Sequence, residues 1–474
     1  MSHSRILIFV IAVMVAATGC SSMPPAAPVP AGAEAADLIV RAGFVLTMAG
    51  PNLEDGAIAI RGGEILEVGP AATILARYSA PQTIDAPEAA MLPGLVNAHT
   101  HAPMVLYRGI ADDRDLMDWL ENYIFPAEAR NVDAEFVRWG TLLAAAEMIR
   151  TGTTTFADMY YFESEIAAAT RETGLRAVLG ETMIDFPAPD NKTWEEAVAY
   201  VREFAARWKD DPLITPALAP HAPFTVSREH LLEVRRLATE LGVPILIHVA
   251  ETANEVRQVT EATGFPPVAY LESIGFLAGD VVAAHTVHLT DDEIAILARR
   301  GVGSVHNPES NMMLASGVAP VPALIAAGVN VGLGTDGPAG SNNDLDMISE
   351  MASAARLQKV VRGDPRALSA RQVLELATIG GARALGLEAK IGSLEPGKRA
   401  DLILIDLAEP GTQPIYSVES AIVYATDGSH VTTTIVDGRI LMRDKQLLTV
   451  DESAVVAKAR QYRDSILKSL EPAQ

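Results

Sequence analysis

The chain has 474 residues, 49% apolar and only 20% charged, a balance that excludes disorder and supports a large core spread over two or three domains. Its 60 acids against 37 bases give a formal charge of −23, which argues against nucleic acid as a partner, since that role needs a basic footprint. A single cysteine, Cys20, excludes an intramolecular disulfide and a cysteine-based zinc cluster.

The chain opens with "MSHSRILIFVIAVMVAATGC". A basic start at Arg5 precedes an apolar run from Ile6 to Val15, too short for a comfortable membrane span, and small residues lead to Cys20. Residues 1–19 resemble a bacterial lipoprotein signal, with Cys20 as the lipidated first residue of the mature chain. An ordinary signal peptide or an uncleaved anchor is the competing reading. Ser21, in place of an aspartate, points to the outer membrane, facing the periplasm of a Gram-negative cell. The Pro/Ala-rich residues 20–36 read as an extended tether outside the fold.

From residue 37 to 91 the pattern is short β-runs broken by turns, with "RGGEI" as a tight hairpin. A matching segment, residues 386–450, carries a second hairpin signal at Asp437-Gly438. The two pieces flank a long middle and are expected to combine into one small β-sandwich domain. Residues 451–474 read as an amphipathic helix.

The middle, residues 92–385, alternates. Eight β-branched runs come in order: "LVNAHTH", "GTTTFADM", "LRAVLGET", "LITPALAPH", "PILIHVAE", "VVAAHTVHL", "GVGSVHNP" and "NVGLGTDG". Helix-like stretches such as 134–150, 163–173, 193–209, 227–241 and 291–300 separate them. This alternation predicts an α/β fold, a (β/α)8 TIM-type barrel, although a doubly wound sheet fits it too. The barrel is favoured because nearly every run ends in His, Asp or Glu, and that end of a barrel strand is the active-site face.

Those ends carry His99, His101, Asp158, His221, His248, Glu251, His285, His288, His306 and Asp336. His99 and His101 are two residues apart on one strand, so their side chains leave the same face and can chelate one ion. Imidazole nitrogen and carboxylate oxygen suit Zn²⁺, and also Fe²⁺ or Mn²⁺. Three imidazoles and one carboxylate leave a coordination position for water, which marks a catalytic rather than a structural site.

"GLVNAHTHAP", "APHAPFT", "IHVAETANE", "AAHTVHL", "HNPESNMMLASGVAP" and "GLGTDGPAG" occur in that order, and residues 37–445 resemble the amidohydrolase superfamily, more narrowly its 5-methylthioadenosine/S-adenosylhomocysteine deaminase branch. The resemblance implies one divalent metal held by His99, His101, His248 and Asp336. The fourth run ends in His221 with no lysine nearby, so the carboxylated lysine of binuclear members is not expected. His285 would orient the water, Glu251 would pass a proton to the ring nitrogen, and Asp336 would take the water's proton. Glu128 would grip the ribose hydroxyls, Trp119 would pack on the nucleoside, and His221 would contact sugar or base. Asn307 and Ser310 are candidates for shaping the pocket.

Homocysteine-binding members carry arginines after the third strand. Here that stretch offers Glu181, Asp185 and Asp190, expected to repel a carboxylate and so to favour an uncharged substrate tail, as in methylthioadenosine or adenosine. Two readings compete with adenosine-type deamination: hydrolysis of guanine, triazine or chloro-substituted rings on the same barrel, and a non-catalytic lipid-anchored binding protein. A homo-oligomer is left open, and a membrane enters only through the lipid.

Overall fold

The structure, a computed structural model, describes residues 32–470. Cys20 and the signal-like segment lie outside the described residues. Among the described residues no helix is long and apolar enough to cross a membrane.

The eight runs form the strands of one closed parallel barrel, in chain order around the ring. They are Leu95–Thr100, Thr153–Tyr160, Arg176–Met183, Ile214–Pro220, Ile245–Val249, Val281–His285, Gly303–His306 and Asn330–Leu333. Strands covered on both faces read as continuous apolar runs, which is why these stood out in the sequence. The ring closes where Leu333 pairs with Asn97 and, one step further, Thr100 bridges Asp336.

The helices between strands start where short polar side chains can cap them. Thr193 with Glu196 and Thr290 with Glu293 form reciprocal capping boxes, and Ser227 caps Arg228–Leu241. Gly174, which ends Glu163–Thr173 at φ +90°, sits where a β-carbon would lie 2.8 Å from Leu441, so it is needed for both conformation and space.

The N- and C-terminal pieces share one eight-stranded mixed sheet. Its seam is the antiparallel pairing of Leu402–Asp406 with Gln82–Pro93. Gly62-Gly63 and Asp437-Gly438, all at positive φ, make the two expected hairpins. One face of the sheet buries a core in which Val40, Ile58, Met91, Leu402 and Ile435 have no exposed surface, and a second cluster with Ile39, Ala57 and Ile74 lies on the other. Two local expectations need correction. Glu34–Ala35, assigned to the tether, pairs as a short strand with Tyr78–Ser79, and Ala71–Arg77 in the β-domain is a helix.

Barrel and sheet are joined by a buried ion pair at the start of the third barrel strand. Arg176 donates from Nε and Nη2 to both oxygens of Asp401, at 2.8 and 3.2 Å. The helix Glu452–Leu470 lies along Ala134–Arg150, fastened by Arg150 to Glu452 at 2.5 Å and Lys458 to Glu135 at 2.7 Å.

Candidate metal centre and active site

The strand ends bring the predicted donors together. Ligand atoms of His99, His248, His285 and Asp336 all lie within 4.8 Å of one another. His101 joins them: its Nε2 is 3.2 Å from Asp336 Oδ1 and 3.4 Å from His248 Nε2. Residues from strands one, five, six and eight, up to 237 positions apart, thus share one point.

The backbone is bent to place them. Asp336 and His285 sit at φ +63° and +71°, and Ala250, next to Glu251, at +54°. Left-handed conformations in non-glycine residues carry a cost, and they persist where surrounding bonds over-determine them. At Asp336 those bonds are visible. Its N–H donates to His99 O at 3.0 Å, its carbonyl accepts from Thr100 Oγ1 at 2.9 Å, and Asn97 ties the adjoining Thr335 at 2.8 and 3.1 Å.

Outer contacts orient the rings. His101 Nδ1 donates to Met159 O, and His248 Nδ1 donates to His221 O at 2.7 Å, so both rings turn Nε2 inward. Ser310 Oγ donates to Asp336 Oδ2 at 2.6 Å, and Asn311 Oδ1 lies 3.1 Å from His285 Nδ1. Burial keeps His99 neutral, with its pKa pushed down to about 4, and burial with the neighbouring imidazoles holds His248 well below its ordinary value. Burial also pushes His101 down, but the Asp336 carboxylate outweighs it and raises the ring to about 9. Burial raises Asp336 in turn, yet hydrogen bonds from His101 and His99 keep it ionised, well below the usual range.

These residues fit a divalent cation. The donors are nitrogen and oxygen, neutral imidazole is the ligating form, and the buried His99 Nε2 points at the shared centre, 3.3 Å from Asp336 Oδ1. A cation would supply the positive charge that protonated His101 otherwise gives to Asp336. The chain therefore holds a divalent metal site.

The cluster opens into a cavity of about 660 Å³, its open mouth included. His101, His221, His248, Glu251, His285 and Asp336 line it together with the predicted Trp119 and Glu128. Trp119 uses its only donor on Ala339 O at 2.8 Å and so offers the cavity an apolar ring. Glu128 is buried; burial raises its pKa to about 7, and Oε1 accepts from Tyr160 at 2.7 Å. His221 Nδ1 is 3.0 Å from Thr225 Oγ1. Glu251 Oε2 is 3.7 Å from His285 Nε2, and burial raises this carboxyl too.

The remaining strand-end residues lie elsewhere. Asp158 is fully buried and accepts from Ala102 N at 2.6 Å. His306 is buried with neither ring nitrogen paired, and His288 donates to Ser316 O at 2.7 Å. Asn307 Nδ2 lies 3.3 Å from His285 Nδ1, beside the donors rather than in the cavity wall.

The acid trio also needs correction. Glu181, Asp185 and Asp190 do not line the cavity. Glu181 is fully buried and takes bonds from Glu163 N and Asn191 Nδ2, Asp190 takes one from Phe162 N, and Asp185 pairs with His230 at 2.7 Å. Backbone and neighbouring donors absorb these carboxylates. The wall is instead apolar, with Leu116, Leu120, Ile124, Phe125 and Phe224, and among the described residues no Lys or Arg lines it.

A family model described as the amidohydrolase family matches residues 90–441, and one for an imidazolonepropionase-like composite domain of bacteria matches residues 56–78. The 5-methylthioadenosine/S-adenosylhomocysteine deaminase of Syntrophobacter fumaroxidans is 48% identical over 431 residues, covering 90% of this chain and 98% of that protein. The 5'-deoxyadenosine deaminase of Methanosarcina mazei is 45% identical over 437 residues, covering 91% of this chain and 99% of that one. A zinc-bound adenosine deaminase from Xanthomonas campestris superposes with a TM-score of 0.91 at 45% identity, over 92% of this chain and 100% of that one. On these matches, the chain belongs to the amidohydrolase family, in the branch that contains the 5-methylthioadenosine/S-adenosylhomocysteine deaminases.

Proposed function

We propose that the chain is a metal-dependent hydrolytic deaminase of adenosine-type nucleosides, releasing ammonia and the inosine analogue. One observation carries this reading. A nitrogen/oxygen donor set and two buried carboxyls, Glu251 and Glu128, share one cavity whose remaining wall is apolar. The deaminases named above, similar along nearly their whole length, support it.

His99, His101, His248 and Asp336 would hold the ion, which we take to be zinc, as in the Xanthomonas structure. A bound divalent cation supplies Lewis acidity, bringing water's ionisation near neutral pH. The chain's own groups manage the protons. Glu251, whose carboxyl burial shifts upward, delivers a proton to the ring nitrogen beside the amino-bearing carbon, which makes that carbon electrophilic. Asp336 accepts the proton that attacking water gives up. His285 Nε2 orients the nucleophile, and the returning proton lets ammonia depart. Glu128 and His221 position the ribose, and Trp119 and the apolar wall exclude water from the base.

The cavity wall offers no cation for an amino-acid carboxylate, so 5-methylthioadenosine or adenosine is preferred over S-adenosylhomocysteine. Ammonia release from the zinc-loaded protein should give a kcat/KM for methylthioadenosine at least roughly tenfold above that for S-adenosylhomocysteine, the penalty of an unpaired charge at an apolar wall. Comparable values sink the tail preference; no ammonia from any adenine nucleoside sinks the deaminase reading.

Location is a separate part of the proposal. Lipidation of Cys20 would anchor the enzyme to the outer membrane, facing the periplasm, where it would deaminate nucleosides outside the cytoplasm. The sequence around Cys20 supports this. Activity should leave the membrane fraction in Cys20→Ala, and an unchanged membrane fraction would refute the anchor.

A further inference from the structure

Two contacts on Glu251 come from residues with no role in the chemistry above. Its backbone N–H and that of Ala250 both donate to the buried Glu255 carboxylate, at 2.7 and 2.8 Å. Its side chain is met from another part of the barrel: Ser316 Oγ donates to Oε1 at 3.1 Å. Ser316 follows the helix Pro308–Met313 and is 5% exposed.

The loop carrying Ser316 is held in place with unusual insistence. Ala315 is at φ +52° and Gly317 at +130°. A β-carbon on Gly317 would stand 2.8 Å from Val287 and 3.2 Å from His288 Nε2, so only glycine fits. Ser316 N donates to Asn311 O at 2.9 Å, and Ser316 O accepts from His288 Nε2 at 2.7 Å. His288 thus finds a use outside the cavity. Backbone strain fixed from both sides is the kind that persists where a side chain must be aimed.

We infer that Ser316 is a positioning residue for Glu251: its hydroxyl occupies Oε1, which leaves Oε2, 3.7 Å from His285 Nε2, as the oxygen that carries the proton. Without that bond the carboxyl can rotate, and the proton leaves the line between His285 and the substrate. The inference rests on the deaminase reading only in taking Glu251 as the proton carrier.

The test is a double-mutant cycle under single-turnover conditions with methylthioadenosine, with zinc content and melting temperature measured for each variant. Ser316→Ala should lower the rate roughly ten- to a hundredfold, part of the roughly 10²–10⁴-fold that a well-placed proton carrier contributes, with KM, zinc per chain and melting temperature unchanged. Ser316→Thr, which keeps the hydroxyl, should restore most of it. On a Glu251→Gln background, Ser316→Ala should change the rate by less than about twofold, because the aimed group is already gone. An unchanged rate in Ser316→Ala, or a loss of equal size on both backgrounds, overturns the inference. A wild-type rate in Glu251→Gln alone overturns the proton-carrier assignment and this inference with it, and is read independently of Ser316.

Discussion

Glu128→Gln separates sugar recognition from chemistry. The substitution keeps the shape of the side chain, and the amide oxygen can still accept the Tyr160 bond seen at 2.7 Å. The second position, Oε2 of this cavity-lining residue, changes from an acceptor to an N–H donor. In an assay at about pH 8.5, above the value of about 7 to which burial raises Glu128, a ribose hydroxyl then loses a bond to a charged group, which contributes about 1.5–3 kcal/mol; since about 1.4 kcal/mol is tenfold, KM should rise roughly 10- to 100-fold. Glu128 touches neither the ring nitrogen nor the amino group in this account, so kcat should change by less than about threefold. Ammonia release measured on adenosine and on 2′,3′-dideoxyadenosine completes the cycle. The penalty should shrink to within about twofold on the dideoxy substrate, which has no hydroxyl to lose. An unchanged KM on adenosine, or an equal penalty on both substrates, would refute the role given to Glu128.

Arg176→Met should cost about 3–5 kcal/mol in urea unfolding, because it strands Asp401, whose side chain is only 2% exposed, without its partner. Replacing both, Arg176→Met with Asp401→Leu, should recover more than half of that loss; a single-variant loss under about 1 kcal/mol would contradict the ion pair as the barrel–sheet fastening. Asp346, which caps Met347–Arg362 and accepts from Gly428 N at 2.8 Å, is raised by burial to about 6. A carboxyl raised on folding stabilises below its unfolded pKa and loses that contribution as pH rises through the folded value, so between pH 4 and 6.5 this site alone should remove on the order of 2–3 kcal/mol. Asp346→Asn should flatten that part of the stability–pH curve, and an identical slope in both proteins would rule the site out.

Much of the barrel could be read in advance because both faces of its strands are covered. Runs such as "ILIHV" and "VVAAH" are apolar until a histidine at or next to their last residue, where the chemistry begins. The meeting of His99, His101, His248 and Asp336 was legible from the His-x-His pair and from their places at the ends of different strands of one barrel; strand-end position alone was not enough, since Asp158, His288 and His306 lie apart from the cluster. The helix Ala71–Arg77 escaped notice because it is a seven-residue connection between strands. Ser316 was not legible as part of the site, since it meets Glu251 only through tertiary approach. Asn307, Ser310 and Asn311, spaced i, i+3 and i+4 in "HNPESN", did carry a signal: at the start of Pro308–Met313 that spacing shares one face, here turned to His285 and Asp336. The acid trio misled in the opposite direction. Sequence proximity put Glu181, Asp185 and Asp190 beside the substrate, but whether a buried carboxylate faces a cavity or a backbone N–H depends on loop geometry that no spacing reveals.

The account stands on one cation shared by side chains from three barrel strands. Anomalous diffraction at the zinc edge from crystals of the zinc-loaded protein reads this directly: a single peak bonded to His99, His101, His248 and Asp336 is expected. Two peaks within the cluster, or one peak out of bonding range of His248 or Asp336, would contradict it.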